Sequence, residues 1–263
     1  MDNPILQIIN LSIGYKAKNG DTILYGNLNA ELQEGKLTCL IGPNGAGKST
    51  LLRTLCNLQP LLGGEIKIEG TNKDQYTAAA LSKKISIVLT DTVRAENITA
   101  YEVIALGRSP YTGFWGSLNE KDKDLIDQTI ALLGLETIAP RNMQHLSDGE
   151  RQKVMIAKAI VQETPIIMLD EPSAFLDYAS KVKLMVLLRK LTRELNKTIL
   201  ISTHDLEHVL QLSDNVWLLD KTLGFSKGET PIVCEDGTVE RYFNTGNLHF
   251  DKQHRRFEIN VKG

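Results

Sequence analysis

Gly42-Pro43-Asn44-Gly45-Ala46-Gly47-Lys48-Ser49 fits the pattern G-x-x-x-x-G-K-[ST]. In this pattern, glycines let backbone N–H groups turn toward phosphate oxygens, and the helix that follows adds the positive end of its dipole. The buried-strand pattern Leu37 to Ile41 precedes the loop, and Leu51, Leu52 and Leu55 follow it at helical spacing. This strand–loop–helix context predicts nucleotide binding rather than a chance match in a turn.

Two side chains of the loop and two later acids carry the predicted chemistry. Lys48 is expected to reach the β- and γ-phosphates of the nucleotide, and Ser49 to ligate Mg²⁺. The apolar run Ile166 to Leu169 ends in Asp170 and Glu171. Because burying an unpaired carboxylate is costly, acids at a strand tip usually face a cleft or a cation. Asp170 is therefore predicted to ligate Mg²⁺, and Glu171 to orient or deprotonate the attacking water.

Composition and the length of the apolar runs argue against two classes of protein, those recruited to nucleic acid by bulk charge and those that span a membrane. The 263 residues include 30 Lys plus Arg and 32 Asp plus Glu, which gives a formal net charge of −2. A nucleic acid partner recruited by bulk charge is excluded, because such recruitment requires a concentrated basic surface. No apolar run approaches the roughly 18–20 residues that span a bilayer. Residues 1–4 show no secretory signal, so we expect the chain to stay in the cytoplasm.

The order of the elements predicts an α/β fold. Residues 5–13 and 21–32 have the pattern of two antiparallel strands, followed by the loop and its helix. Strand patterns return at 166–169 and 198–201, with a helical stretch at 180–195 between them. Strands that alternate with helices pair in parallel, which predicts a doubly wound core.

Two regions depart from that alternation. Strand signals vanish from about residue 95 to 150, where Asn119 and Gly134 have the residue types that begin and end a helix. We predict an inserted helical subdomain there, within a domain that spans residues 1–221. Beyond it the pattern weakens, and residues 222–263 are interpreted as a small C-terminal appendage with one late strand near 257–261.

With these motifs in place, the chain resembles the ATP-binding cassette (ABC) ATPases from about residue 5 to residue 220. Leu146-Ser147-Asp148-Gly149-Glu150 looks like the signature sequence of that family, and Ser173-Ala174-Phe175-Leu176-Asp177 matches its D-loop. His204 stands where the family has its switch histidine, and Tyr15 is similar to the aromatic residue that stacks on adenine. The resemblance implies a P-loop NTPase core with an N-terminal antiparallel β subdomain and an inserted α-helical subdomain.

The resemblance also implies a set of site residues and the cofactors ATP and Mg²⁺. Glu171 and His204 would be catalytic, and Asp170 would be a metal ligand. In the family, the signature of one copy closes over the nucleotide of a second copy, so a head-to-tail dimer is implied, with Ser147, Gly149 and Glu150 acting in trans. Asp177 is the D-loop residue. The nucleotide-binding residues would be Tyr15, Gly42, Pro43, Asn44, Gly45, Ala46, Gly47, Lys48, Ser49 and Thr50.

Two positions depart from the family pattern. Thr90 stands where a Gln usually contacts Mg²⁺ or the attacking water, so a contact through a bridging water is expected instead. Asp148 stands where the signature usually has Gly. A carboxylate close to a γ-phosphate would repel it, so we predict that Asp148 points away.

A cassette without a membrane span implies a separate integral membrane permease. The segment Ala105 to Tyr111 resembles one found in importers of iron-siderophores, haem and cobalamin. Pro110 is expected to bias Ser109 away from helix and create the bend where a permease helix docks. Tyr111, Phe114 and Trp115 add an apolar patch. The resemblance thus implies a peripheral ATPase subunit on the cytoplasmic face of the inner (plasma) membrane, acting indirectly with an extracytoplasmic substrate-binding protein.

Three alternatives remain open at this point. The chain could be a soluble ABC ATPase of a cytosolic machine, such as one for iron–sulfur cluster assembly. It could be a nucleotide kinase that shares only the phosphate loop. His204 and His208, four residues apart, could be a zinc pair on one helix face, although the sequence offers no third ligand nearby.

Overall fold

The computed structural model describes residues 4–17, 20–89, 97–113, 116–174, 176–244 and 248–259. The described strands are β1 (Pro4–Tyr15), β2 (Thr22–Gln33), β3 (Leu37–Ile41), β4 (Gly63–Ile68), β5 (Thr71–Asn72), β6 (Ile85–Val88), β7 (Ile166–Asp170), β8 (Thr198–Thr203), β9 (Asn215–Asp220), β10 (Gly224–Glu229), β11 (Leu248–Asp251) and β12 (Arg256–Ile259). The described helices are α1 (Lys48–Leu55), α2 (Ala78–Leu81), α3 (Ala100–Ala105), α4 (Glu120–Leu133), α5 (Asp148–Val161), α6 (Tyr178–Glu194), α7 (Leu206–Leu212), α8 (Thr230–Glu235) and α9 (Thr238–Phe243).

The N-terminal strands form an antiparallel sheet with the order β2-β1-β4-β5. In β2, the apolar residues Leu28, Ala30 and Leu32 are buried and alternate with exposed polar residues. This alternation places one face of the sheet on the core, as the sequence pattern predicts. The buried face shares an apolar cluster with Leu51 and Leu52 of α1.

The central sheet has the order β10-β9-β3-β8-β7-β6, and its strands from β9 to β6 are parallel. Every residue of β3, β7 and β8 is buried, because helices or the first sheet cover both faces. The carboxyl ends of these three neighbouring strands lie at the same edge of the sheet. Three loops that carry predicted site residues therefore meet there.

The region from α3 to α5 is helical and has its own apolar cluster. Asn119 caps α4 with a reciprocal capping box, and Gly134 ends that helix in a left-handed conformation with φ 64°. No named strand lies between β6 and β7 in the described part of this region. The predicted fold class is confirmed: an antiparallel β subdomain, a parallel α/β core and a helical insertion.

The C-terminal segment packs on the core. β10 adds an antiparallel edge strand to β9, and β11 and β12 form a separate two-stranded hairpin. Val233, Cys234, Val239 and Phe250 are buried in the same cluster as the central strands. The domain boundary at residue 221 stays a prediction. The C-terminal segment shares an apolar cluster with the central strands.

Candidate nucleotide site

The loop between β3 and α1 leaves the start of the helix open. Gly47, directly before α1, has φ 96° and ψ 12°, a left-handed conformation that glycine adopts without steric cost. A Cβ there would lie 3.2 Å from the buried ring of Tyr25. Within the described chain, no side chain caps α1 and no acid lies in its first turn. The first N–H groups of the helix therefore suit an anion.

Lys48 is the buried cation of this loop, with only 5% of the residue exposed. Its Nζ donates to the carbonyl oxygens of Gly42 and Pro43 at 2.8 and 3.2 Å. The same nitrogen lies 3.1 Å from Oε1 of Glu171. An ammonium group has three donors, and three acceptors surround this one. The structure thus brings together two predicted site residues from two different loops.

Ser202 of β8 positions the two acids that end β7. It lies opposite Asp170 in the strand register, and its Oγ donates to Asp170 Oδ1 at 2.6 Å. The N–H of Glu171 donates to the carbonyl and hydroxyl oxygens of Ser202 at 3.1 and 3.0 Å. These bonds hold Glu171 at φ 46°, a left-handed conformation that is strained for a residue with a side chain. Ser202 was not predicted as a site residue, because in the sequence it is only a serine near the end of a strand pattern.

His204 follows β8 and contacts the second oxygen of the glutamate. Its Nδ1 lies 2.8 Å from Oε2 of Glu171, while Oε1 faces Lys48. Each carboxylate oxygen therefore has its own nitrogen partner. The Glu171 side chain is 18% exposed, which leaves it accessible to a water molecule.

Tyr15 ends β1 beside the start of α1. Its hydroxyl lies 3.1 Å from Oγ1 of Thr50, and about half of the residue is exposed. An exposed aromatic face at the rim of the phosphate loop suits stacking on a planar base. The adenine contact of Tyr15 stays a prediction.

The signature residues cap their own helix. Ser147 precedes α5, and its Oγ accepts from the N–H of Glu150 at 3.3 Å. In return, Oε2 of Glu150 accepts from the N–H and the Oγ of Ser147 at 2.8 and 2.9 Å. These two bonds hold the pKa of Glu150 below its usual value. Ser147 is therefore the N-cap of α5, and the contacts in trans stay predictions.

Arg151 lies beside the unusual acid of the signature. Its Nη1 is 2.6 Å from Oδ1 of Asp148, and its Nη2 donates to the Leu146 carbonyl at 3.0 Å. The pair neutralises the charge of Asp148, a compensation that the sequence analysis did not anticipate.

Asp177 caps another helix, α6. Its carboxylate accepts from the N–H of Ser180 at 2.7 Å, and this bond lowers the pKa of Asp177. The role of Asp177 as a D-loop residue toward a second copy stays a prediction.

The segment Ala105 to Tyr111 differs from expectation at Ser109. Ser109 has φ −53° and ψ −31°, a helical conformation, so the predicted bias away from helix was wrong. Arg108, in the same segment, is buried, with 7% of the residue exposed. It pairs with Asp122 at 2.8 Å, donates to the Val161 carbonyl at 2.7 Å and covers the ring of Tyr111.

These buried bonds of Arg108 fix the turn, and tertiary contacts override the local effect of proline. Leu106 and Tyr111 remain largely exposed, at 51% and 40%.

Thr90, Phe114 and Trp115 lie outside the described residues. Among the residues that the structure describes, no group of three or more His, Cys, Asp or Glu side chains could hold a metal ion. His204 and His208 instead contact separate acids, so the geometry does not favour the zinc pair.

In the described part of the chain, no helix is both long and apolar enough to cross a membrane.

Sequence comparison shows the family. A profile described as ABC transporter matches residues 25–174, more than half of the chain. The chain belongs to the ABC ATPases. This ABC ATPase is 36% identical over 255 residues to an ABC transporter ATP-binding protein of Methanocaldococcus jannaschii, covering 97% of this chain and 87% of that protein. It is 34% identical over 233 residues to the iron(3+)-hydroxamate import ATP-binding protein of Bacillus subtilis, covering 89% and 85%.

Solved structures agree with this assignment. One neighbour is a transporter described as of the metal-chelate type, in an inward-facing conformation, with a TM-score of 0.78, 27% identity and coverage of 97% of this chain and 95% of that chain. Another is a dimeric ATP-binding cassette in a post-hydrolysis state with ADP and phosphate, with a TM-score of 0.76, 26% identity and coverage of 86% and 98%. The predicted family and ABC ATPase fold are confirmed.

Proposed function

We propose that this ABC ATPase is the ATP-hydrolysing subunit of an importer for a metal chelate of the iron-siderophore, haem or cobalamin class. The observation that carries the hydrolytic part is the position of Glu171 between Lys48 and His204. The importer part is supported by the relative named for iron(3+)-hydroxamate import and by the neighbour of the metal-chelate type.

In this proposal, the phosphates of ATP lie on the loop and helix start formed by residues 42–50, and adenine stacks on Tyr15. Lys48 contacts the β- and γ-phosphates. A magnesium ion would be held by the Ser49 hydroxyl and the Asp170 carboxylate, with Thr90 reaching it through a water. Hard oxygen donors suit this ion, and Ser202 fixes the orientation of the buried Asp170 carboxylate. The ion supplies positive charge to the phosphate oxygens.

Glu171 acts on the attacking water. One of its oxygens turns from Lys48 to a water molecule once the lysine engages phosphate, and the carboxylate orients or deprotonates that water. His204 keeps the other oxygen in place through its Nδ1 contact and approaches the γ-phosphate with the rest of its ring.

A second copy completes each nucleotide site. Ser147, Gly149 and Glu150 at the start of α5 close over the ATP bound by the partner, and Asp177 lies at the same interface. The dimeric cassette among the structural neighbours supports this arrangement. The negative phosphates attract two helix N-termini and two lysines, so ATP binding closes the pair and hydrolysis weakens it.

The pair drives an integral membrane permease at the cytoplasmic face of the inner membrane, and an extracytoplasmic binding protein delivers the cargo. We place the permease contact at Leu106 and Tyr111, because both apolar side chains are exposed on one short segment. Arg108, buried behind them, supports the segment.

Hydrolysis and dimer closure are tested together with Glu171→Gln. We expect this variant to lose ATPase activity and to form a stable dimer with MgATP in analytical ultracentrifugation. The double variant Lys48→Met/Glu171→Gln should stay monomeric under the same conditions, because it lacks the cation that faces the phosphates. A Glu171→Gln protein that hydrolyses ATP, or that remains monomeric with MgATP, contradicts the proposal.

Permease coupling is tested by membrane flotation of the native assembly. Leu106→Glu should release the ATPase from membranes while its own hydrolysis is unchanged. Ile232→Glu is the matched control, because Ile232 is similarly exposed, at 56%, on α8 of the C-terminal segment. Wild-type protein that never floats with membranes would favour a cytosolic ABC machine instead.

A further inference from the structure

The residue after His204 directs its carboxylate away from its own helix. Asp205 occupies the N-cap position of α7, yet its side chain makes no capping hydrogen bond. Its Oδ2 lies 3.3 Å from Nζ of Lys181 on α6, and its Oδ1 lies 3.2 Å from Nδ1 of His208 on α7. The carboxylate therefore ties the turn that carries His204 to two helices.

His208 is the buried partner in this arrangement, with 8% of the residue exposed. Its Nδ1 faces Asp205, and its Nε2 is buried without a hydrogen-bond partner in the described part of the chain. The ring of Tyr178 lies 5.0 Å away at an interplanar angle of 57°. A phenyl ring would fill the same space without burying an unpaired nitrogen. What the imidazole adds beyond volume is therefore its Nδ1 contact to Asp205.

The turn from β8 to α7 transmits that contact to His204. The N–H of Asp205 donates to Oγ1 of Thr203 at 3.0 Å, which closes the turn around His204. The His204 side chain itself is 49% exposed, so surrounding side chains restrain it little. The direction of its ring toward Glu171 depends on the backbone of this turn, and Asp205 anchors that backbone on one side.

We propose that His208 is a positioning residue for hydrolysis: through Asp205 it fixes the turn that places His204 Nδ1 against Glu171. This inference rests on the proposed function of Glu171 and His204. His208 itself lies one helical turn beyond His204 and touches neither the phosphate loop nor Tyr15 in the contacts described. Its loss should therefore lower kcat and leave the KM for MgATP unchanged.

Two substitutions of His208 separate the contribution of its Nδ1 atom from that of its ring volume. His208→Phe keeps the ring volume against Tyr178 and removes Nδ1. His208→Asn keeps an N–H donor attached to Cγ and removes the ring. We expect His208→Phe to lower kcat about tenfold, with the KM for MgATP within twofold, because small displacements of a reacting group reduce rates by such factors. His208→Asn should recover most of the kcat, which a purely structural loss would not allow.

Asp205, the residue through which His208 contacts the turn, gives a second test that does not depend on the folding of His208→Phe. Asp205→Ala should lower kcat by a similar factor, and the double variant Asp205→Ala/His208→Phe should lose no more than either single variant. If the double variant loses kcat by the product of the two single factors, the positioning role is overturned. A His208→Phe enzyme with wild-type kcat overturns it as well. Hydrolysis that survives Glu171→Gln and His204→Ala would instead overturn the proposed function, so the two failures are distinguishable.

Discussion

The helices α1 and α5 begin in opposite ways. α1 follows Gly47, with no capping side chain in the described chain and no acid in its first turn. α5 follows Ser147, whose reciprocal bonds with Glu150 form a complete capping box, and Asp148 adds a second acid. One helix start leaves its N–H groups to a ligand, while the other supplies its own acceptors.

The two helix starts are therefore suited to different parts of nucleotide binding. The start of α1 has no capping side chain in the described chain, so in the proposed function its N–H groups hold the phosphates within one copy. The start of α5 is already capped by Ser147 and Glu150, and in the proposed dimer its remaining amides and the Ser147 hydroxyl would contact a phosphate bound by the second copy. We therefore expect substitutions at α1 to affect nucleotide binding within one copy, and substitutions at α5 to affect closure of the pair.

The largest effect is expected for Lys48→Met, which removes the buried cation beside α1. Loss of one charge that faces developing phosphate charge lowers kcat/KM by at least about a hundredfold. Steady-state phosphate release at varied MgATP measures it. Lys67→Met, which removes a lysine paired with Glu65 on β4, serves as the control and should leave the rate within twofold. A Lys48→Met rate within tenfold of wild type contradicts the assignment.

A smaller effect is expected when the open start of α1 is narrowed. Gly47→Ala places a Cβ against the buried ring of Tyr25, at a φ of 96° that costs an L-residue roughly 1–2 kcal/mol. Tyr25 is buried, with only 8% of the residue exposed, so its ring has little room to yield. We expect the dissociation constant for a fluorescent ATP analogue to rise about tenfold.

Gly45→Ala is the matched control for that loop. Its φ of 75° brings a similar backbone cost, but a Cβ there meets nothing within 4 Å. The difference between the two alanine variants isolates the steric contribution, and equal affinities would show that the Tyr25 contact does not shape the loop.

Ser147→Ala removes the cap of α5 and should lower the free energy of unfolding by about 1 kcal/mol. Glu150→Gln retains the reciprocal bonds and should cost less. Because Ser147 lowers the pKa of Glu150 in the folded protein, the ionised cap stabilises at neutral pH, and this contribution is lost as the pH falls through the folded pKa. Urea titrations at several pH values should therefore show the Ser147→Ala deficit shrinking in acid. A deficit that stays constant with pH contradicts the role of ionised Glu150.

Features set by neighbouring residues could be predicted from the sequence. The phosphate loop and the α4 boundaries at Asn119 and Gly134 each depend on local patterns, and the structure agrees with them. They could be predicted because a cap or a glycine turn is satisfied within a few residues.

Features set by distant contacts could not be predicted. Ser202 reaches Asp170 only because β8 lies beside β7, and Arg108 is buried only because Asp122 and the end of α5 surround it. Arg108 also explains why Ser109 is helical despite Pro110. In each case the partner lies on another element, and periodicity carries no information about it.

The smallest effect is expected at the acid that distinguishes this signature. Arg151 neutralises Asp148, and exposed pairs of this kind contribute only about 0–1 kcal/mol. Asp148→Gly should therefore leave ATPase activity within a few-fold, since the phosphate of the partner site meets a compensated charge. Arg151→Gln should slow hydrolysis more, because it leaves the Asp148 carboxylate unpaired near that phosphate. The double variant Asp148→Gly/Arg151→Gln should restore the rate. A gain of several orders of magnitude from Asp148→Gly alone would mean that the carboxylate faces the γ-phosphate, and α5 would then oppose the anion that α1 attracts.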